Sequence, residues 1–153
     1  MADIIRFDWA MKRLLRDKAN YGVIEGLLTT LLNEKITIRR MLESESNQEE
    51  EYDKSNRVDI LAEDSKGRLI LFEIQNNNEY AYFQRMLFGV SKLVTEYIRR
   101  GQGYENIRKI YSINIVYFAL GAGKDIVYHG TTEFRGIHNN DILQLSPFQR
   151  EKF

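Results

Sequence analysis

The sequence has no cysteine, no long hydrophobic run and no net charge, and each absence excludes a class of protein. Without cysteine there can be no disulfides, no thiolate zinc sites and no cysteine nucleophile. No run approaches the roughly 18 apolar residues of a membrane-spanning helix, and Asp3, Arg6 and Asp8 interrupt the start where a signal peptide needs an apolar segment. We therefore expect a cytoplasmic protein with no membrane segment.

The 22 basic and 22 acidic side chains cancel, so the overall charge gives no support to nucleic-acid binding, which usually leaves a basic footprint. The charges are nevertheless unevenly distributed, with acidic side chains concentrated in residues 43–53. Two clusters of basic side chains are formed by Lys35, Arg39 and Arg40 and by Arg99, Arg100, Arg108 and Lys109. They could border a phosphate-binding surface or be ordinary solvated faces, and the sequence leaves both open.

The size and composition are those of one folded domain. A chain of 153 residues with 43% hydrophobic and 29% charged residues can bury a single core, and it contains no internal repeat and no low-complexity segment. We expect one domain over residues 1–153, with its core at about 18–120 and a C-terminal extension at 121–153.

Hydrophobic spacing predicts the order of the elements. Apolar residues recur every three or four positions in residues 21–32 and 79–100, which is typical of amphipathic helices, and Gly101 is expected to end the second. Residues 7–15 look like a shorter helical piece, and 43–56 like an exposed loop. Strands are predicted at residues 36–42, 57–63, 68–76, 110–120 and 125–134, the run 110–120 being buried on both faces. A long helix between two strands forms a crossover that makes those strands parallel, so the sheet should be mixed.

The turn between the second and third strands predicts their register. If Asp64 and Arg68 close a three-residue loop, Gly67 falls at the position that needs a left-handed backbone. Counting outward from that pair places Asp59 opposite Glu73 on one face of the sheet, with side chains about 5 Å apart. A two-residue loop would instead put the two carboxylates on opposite faces.

Three polar groups should converge on that face, since Gln75 lies two residues beyond Glu73 and projects the same way. Two carboxylates this close repel each other unless a hard divalent cation, Mg²⁺ or Mn²⁺, lies between Asp59 and Glu73. The carbonyl of Ile74 is well placed to add a ligand. The alternative is an ordinary hairpin with alternating polar residues facing solvent, and spacing alone does not exclude it.

The stretch RVDILAEDSKGRLILFEIQ, residues 57–75, resembles the hairpin of the PD-(D/E)XK nuclease superfamily, most closely its branch of transposases and recombination-promoting nucleases. The segments FDWAMKRLL, VIEGLLTTLL and YFQRMLFGVSKLVTEYIRRGQGYENIRKIYSINIVYF are similar to the same branch, so the likeness covers most of residues 7–118. It implies an α/β fold with a restriction-endonuclease-like core, in which a helix, a three-strand meander, a long helix and a strand surround a mixed central sheet. Family members commonly continue further, which leaves open whether the extension at 121–153 is complete.

The resemblance also assigns roles to individual residues. Asp59 matches the metal-binding aspartate and Glu73 the second acidic ligand, whereas Gln75 stands where the superfamily usually has lysine, a substitution that this branch shares. A glutamine cannot supply positive charge, but its amide can position a water molecule or bind a phosphate oxygen.

Three further residues are weaker candidates. The first helix of the superfamily often contributes a glutamate beside the metal, and Glu25 is the candidate here, the alternative being a boundary carboxylate exposed to water. Gln84 and Arg85 on the long helix could bind the phosphate, although an arginine on such a helix is more often solvated or salt-bridged. His129 and His138 are the only histidines, and without cysteine they make a poor transition-metal site.

The resemblance implies a metal-dependent endonuclease that acts on DNA in recombination, transposition or defence against foreign DNA. A second hypothesis is a catalytically weakened nuclease fold kept for DNA binding or protein assembly, because the usual lysine and a net basic charge are both missing. A third is an α/β interaction module whose acidic face is merely solvated. The sequence leaves open the oligomeric state, a homo-oligomer included, and the DNA preference.

Overall fold

The structure, a computed structural model, describes residues 18–42 and 57–150, with the backbone alone for Lys18 and residues 57–59. The predicted helical piece at 7–15 and the predicted loop at 43–56 lie outside these residues. The described elements are the helices α1 (Tyr21–Leu32), α2 (Tyr82–Tyr97) and α3 (Pro147–Arg150), two 3-10 turns (Lys18–Asn20, Tyr104–Asn106), and the strands β1 (Ile38–Leu42), β2 (Arg57–Asp64), β3 (Leu69–Gln75) and β4 (Ile110–Val116). None of these helices combines the length and apolar character needed to cross a membrane.

The strands form one sheet in the order β1-β2-β3-β4. β1 pairs with β2 and β2 with β3 in antiparallel fashion, whereas β3 and β4 are parallel. The parallel pair follows from the crossover through α2, which returns the chain to the end of the sheet where β3 began. The predicted helix, three-strand meander, long helix and strand are therefore confirmed, and so is the mixed sheet of an α/β fold.

The hairpin between β2 and β3 has the predicted three-residue turn. The amide of Asp64 donates to the carbonyl of Arg68 at 3.0 Å, and Gly67 has a φ of 77°. The Asp64 carboxylate reinforces the turn by accepting the amides of Lys66 and Arg68 at 3.0 and 2.8 Å. Because the turn fixes the register, Asp59 and Glu73 are Cα partners, as predicted.

The two longer helices, α1 and α2, pack on opposite faces of the sheet. Ile24 and Leu28 of α1 join a core cluster with Ile70, Phe72 and Ile74 of β3. On the other face the buried residues are Leu93 of α2 with Leu61, Leu69 and Leu71 of the hairpin. Side chains alternate along a strand, so Glu73 and Gln75 lie on the face that α2 covers.

The long helix is shorter than predicted and turned about its axis. It ends at Tyr97, where Ile98 is extended, and Gly101 with a φ of 86° belongs to a separate turn. Phe83 and Leu87 belong to the apolar spacing of three and four that predicts this helix, and burial of that stripe would cover them, but they are 60% and 69% exposed. The helix carries two overlapping apolar stripes, and the sheet selects the one that contains the buried Tyr82 and Leu93.

Two strand predictions were wrong. β4 was expected to be buried on both faces, but all seven of its residues are only half-buried, because it is an edge strand with β3 as its neighbour in the described sheet. Residues 125–134 form no strand and are exposed. A strand needs a partner for its backbone groups, and the described tail offers one isolated bridge, between Arg135 and Ile142.

Replacing Gly67 by alanine should destabilise the protein by about 1–2 kcal/mol, because its backbone is left-handed. An added Cβ would meet only the Arg108 guanidinium, at an ordinary 3.6 Å, so the cost comes from the backbone. Gly26→Ala is the matched control, since it lies in α1 with open space around it and should stabilise by about 0.5–1 kcal/mol. Urea unfolding measures both, and an unchanged free energy of unfolding for Gly67→Ala would contradict the assigned turn.

Candidate active site

Three of the predicted site positions share the face of the sheet that α2 covers, at the end away from the hairpin turn. Glu73 and Gln75 of β3 are 5% and 6% exposed. Asp59 is the Cα partner of Glu73 on β2, so the backbone places it at the same position along that face. A carboxylate as buried as that of Glu73 needs a compensating cation or donor.

Arg85 of α2 supplies that compensation. Its Nε donates to Oε1 of Glu73 at 2.6 Å, and its Nη1 donates to Oε2 of Glu79 at 2.7 Å. The arginine side chain is only 16% exposed, so these charge-assisted bonds are partly shielded from water. The guanidinium thus links β3 to the segment that leads into α2.

Two buried polar atoms of this group have no hydrogen-bond partner among the side chains and backbone that the structure describes. Nε2 of Gln75 donates to the carbonyl of Asn77 at 3.2 Å, but Oε1 of Gln75 is left unsatisfied. Nη2 of Arg85 is also buried without a partner. Leaving such an atom unpaired costs about 1–3 kcal/mol, so an acceptor and a donor are both available here to bind a further group.

Tyr82 and Asn114 border the site, and the sequence reasoning missed both. The Tyr82 hydroxyl donates to Oδ1 of Asn114 at 3.2 Å, and Asn114 is the Cα partner of Glu73 on β4. The Tyr82 ring is buried and packs edge-on against Phe118. The available signal was the polar pair Ser112 and Asn114 inside an otherwise apolar strand.

Comparison of the sequence with known protein families gives a match over most of the chain. The family described as PD-(D/E)XK nuclease family transposase matches residues 5–144. The chain belongs to this family. Searches of the curated proteins and of the solved structures found no match. The mixed four-stranded sheet with its helices agrees with the restriction-endonuclease-like fold expected of a PD-(D/E)XK nuclease.

The donor atoms at this position suit the divalent metals that PD-(D/E)XK nucleases generally use. Among the side chains that the structure describes, which do not include Asp59, no three Asp, Glu or His residues are placed to hold a metal ion. The site does contain the buried carboxylate of Glu73, which is already paired with the guanidinium of Arg85. It also contains the amide oxygen of Gln75, which has no partner among the described residues. Hard oxygen donors of this kind fit Mg²⁺ or Mn²⁺.

The structure does not bring Glu25 into this group. Its Oε1 accepts the amide of Ile38 at 2.7 Å, and Ile38 pairs with Asp64 at the turn end of the hairpin. Asp59 is five residues further along β2, which corresponds to roughly 17 Å at about 3.3 Å per residue. Glu25 therefore anchors the start of β1, and α1 packs on the opposite face of the sheet from Glu73.

The remaining candidates are Gln84 on α2 and the carbonyl of Ile74 on β3. Gln84 precedes Arg85 and is exposed on α2. The hairpin register makes Val58 and Ile74 one of the hydrogen-bonded pairs, so the ladder uses one lone pair of the Ile74 carbonyl oxygen. A carbonyl oxygen has two lone pairs, and the second could still face a cation.

A second buried carboxylate, that of Glu63, lies on the same face near the hairpin turn and is fully compensated. Arg40, Arg39 and Arg108 approach its oxygens at 2.8, 3.3 and 2.9 Å. Burial alone would raise the pKa of Glu63, but the hydrogen bonds from Arg40 and Arg108 outweigh it, and the pKa is lowered. This part of the basic clusters therefore has a structural role, although Arg39 and Arg40 remain mostly exposed.

Glu63→Gln should lower the free energy of unfolding near pH 7 by about 2 kcal/mol. This is less than the cost of breaking a fully buried ion pair, because Arg39 and Arg40 are mostly exposed to water. The folded-state pKa lies below the unfolded value of about 4.3, so this stabilisation is complete above that pH and is lost as pH falls through the folded pKa. Urea unfolding from neutral pH to about pH 3 should show the difference from wild type shrinking. The exposed Glu133, paired with Arg135, is the control, and Glu133→Gln should change stability by under about 0.5 kcal/mol. A pH-independent difference for Glu63→Gln would contradict this assignment.

Proposed function

We propose that this protein is a metal-dependent endonuclease that hydrolyses phosphodiester bonds in DNA, with Asp59 and Glu73 as the ligands of Mg²⁺ or Mn²⁺. The observation that carries the proposal is the pairing of these two positions across β2 and β3, beside the unsatisfied Oε1 of Gln75. Membership of a nuclease family makes DNA the expected substrate.

Each residue has a defined task in this proposal. Asp59 and Glu73 hold the cation, and the Ile74 carbonyl adds a neutral ligand. A bound divalent cation lowers the pKa of its water and screens phosphate charge, which is the chemistry that phosphodiester hydrolysis requires. The buried position of Glu73, with the Tyr82 ring nearby, limits competing solvent.

Gln75 orients the attacking water or a phosphate oxygen through its amide. Its Oε1 is the buried acceptor without a partner, so a water molecule bound there would satisfy it. The amide is neutral and cannot stabilise developing negative charge as the lysine usual at this position would. Gln84, exposed on α2 beside the site, is a candidate contact for the DNA backbone.

The second candidate function is a nuclease fold kept for DNA binding or assembly during recombination or transposition. Two observations favour it: Gln75 replaces the usual lysine, and the chain has no net positive charge. In this case Asp59 and Glu73 would still bind metal, but DNA would not be cut. Metal binding and cleavage must therefore be measured separately.

Asp59→Ala should abolish both metal binding and DNA cleavage. With Mg²⁺ or Mn²⁺ present, the rate of plasmid nicking by Asp59→Ala should be lower than that of the wild type. The decrease should exceed the roughly 10- to 100-fold that is lost when a residue outside the ligand shell is removed. Asp125→Asn, an exposed carboxylate in the tail, is the matched control and should cut like wild type. Metal binding without cleavage in the wild type would support the second candidate, and neither metal binding nor cleavage would overturn the first.

Gln75→Ala should separate catalysis from metal binding. Losing one positioned hydrogen-bonding group typically lowers kcat by about 10²- to 10³-fold, so nicking should fall to this extent. The affinity for Mn²⁺, measured by calorimetry without DNA, should stay within about threefold, because Asp59 and Glu73 are retained. A loss of metal affinity equal to that of Asp59→Ala would show that Gln75 is a ligand instead.

A further inference from the structure

We infer that Arg85 is a resident counter-cation that neutralises Glu73 in the metal-free protein and competes with the metal for it. The inference rests on the proposed function, because Glu73 is the proposed metal ligand. It also changes the role expected for Arg85 from the sequence. The side chain is directed at two carboxylates of its own chain, Glu73 and Glu79, rather than outward to a substrate.

The geometry makes competition unavoidable. Nε of Arg85 is 2.6 Å from Oε1 of Glu73, so any cation bound to this carboxylate would lie close to the guanidinium. Two positive charges about 5 Å apart repel each other appreciably even at the effective dielectric of a protein surface. Metal binding therefore requires Arg85 to move away or to accept this repulsion, and either one weakens metal affinity.

Glu79 gives the guanidinium a second partner. Nη1 of Arg85 donates to Oε2 of Glu79 at 2.7 Å, and the Glu79 side chain is 31% exposed. The guanidinium can therefore leave Glu73 for a metal while remaining paired. Arg85 would then keep in the site the positive charge that Gln75 does not supply, but from α2 rather than from β3.

The surroundings of Glu73 also differ from those of Glu63, the buried carboxylate near the hairpin turn on the same face of the sheet. Glu63 is surrounded by three arginines, and in the described part of the chain no side-chain atom of that cluster is buried without a partner. Around Glu73, by contrast, Nη2 of Arg85 and Oε1 of Gln75 are both unsatisfied. A pair optimised only for stability would not leave these atoms unpaired, since each costs free energy.

The test is a titration of Mn²⁺ alone, without DNA, into the wild type and Arg85→Met by isothermal titration calorimetry. Removing the competing charge should lower the Kd for Mn²⁺ about tenfold. Thermal unfolding provides a second readout. The variant should have a lower Tm than wild type in chelator, because Glu73 loses its cation, and should gain more Tm when Mn²⁺ is added.

Arg108→Met is the matched control, since it removes an arginine from the other buried carboxylate, Glu63. It should lower Tm in chelator without changing the Kd for Mn²⁺, and added Mn²⁺ should raise its Tm by no more than it raises that of the wild type. If Arg85→Met does not fold, Arg85→Gln removes the charge but keeps a donor to Glu73, and the same fall in Kd is expected.

The outcomes separate the two proposals. Equal Kd values for the wild type and the neutral variants would overturn the role of Arg85 and leave the metal site intact. A higher Kd in those variants would also overturn it, because Arg85 would then support the ligand. If neither the wild type nor any variant binds Mn²⁺, the proposed metal site fails and the role of Arg85 fails with it.

Discussion

The hydrogen bond from the amide of Asp64 to the carbonyl of Arg68 is the constraint on which the rest of the structure depends. It closes a turn that requires the left-handed Gly67 and so fixes the register of β2 against β3. A slip of one residue in this register would turn either Asp59 or Glu73 to the opposite face of the sheet, and the two carboxylates would no longer lie side by side. The Arg68 side chain strengthens the same point by bonding to Asp64 and Glu34, at 2.6 Å in each case.

The face that α2 covers contains two buried carboxylates with different environments. The paired Leu61 and Leu71 separate them along the hairpin, and both Glu63 and Glu73 are buried. Glu63 has more arginines than its charge requires, whereas Glu73 shares one arginine with Glu79. The first arrangement stabilises the fold, and the second is the arrangement that the proposed metal site uses.

Family membership gives this difference a functional meaning. The chain belongs to a nuclease family, and Glu73 is the proposed metal ligand opposite Asp59; an arginine compensates its carboxylate. The positive charge beside Glu73 comes from Arg85 on α2, twelve residues along the chain, and Gln75 on the strand carries none. If Glu73 holds metal as proposed, the strength of its ion pair with Arg85 sets how readily a cation can bind there.

The sequence by itself determined what depends on neighbouring residues: the extents of α1 and the hairpin, the three-residue turn and hence the pairing of Asp59 with Glu73. Backbone geometry within a few residues decides these features, so spacing and turn residues suffice. The tertiary structure alone decided which stripe of α2 faces the sheet, that β4 is an edge, and that Glu25 bonds to β1 while Arg85 bonds to Glu73. Each of these depends on contacts between elements distant in the chain, where several partners of similar chemistry compete and only the packed sheet selects one.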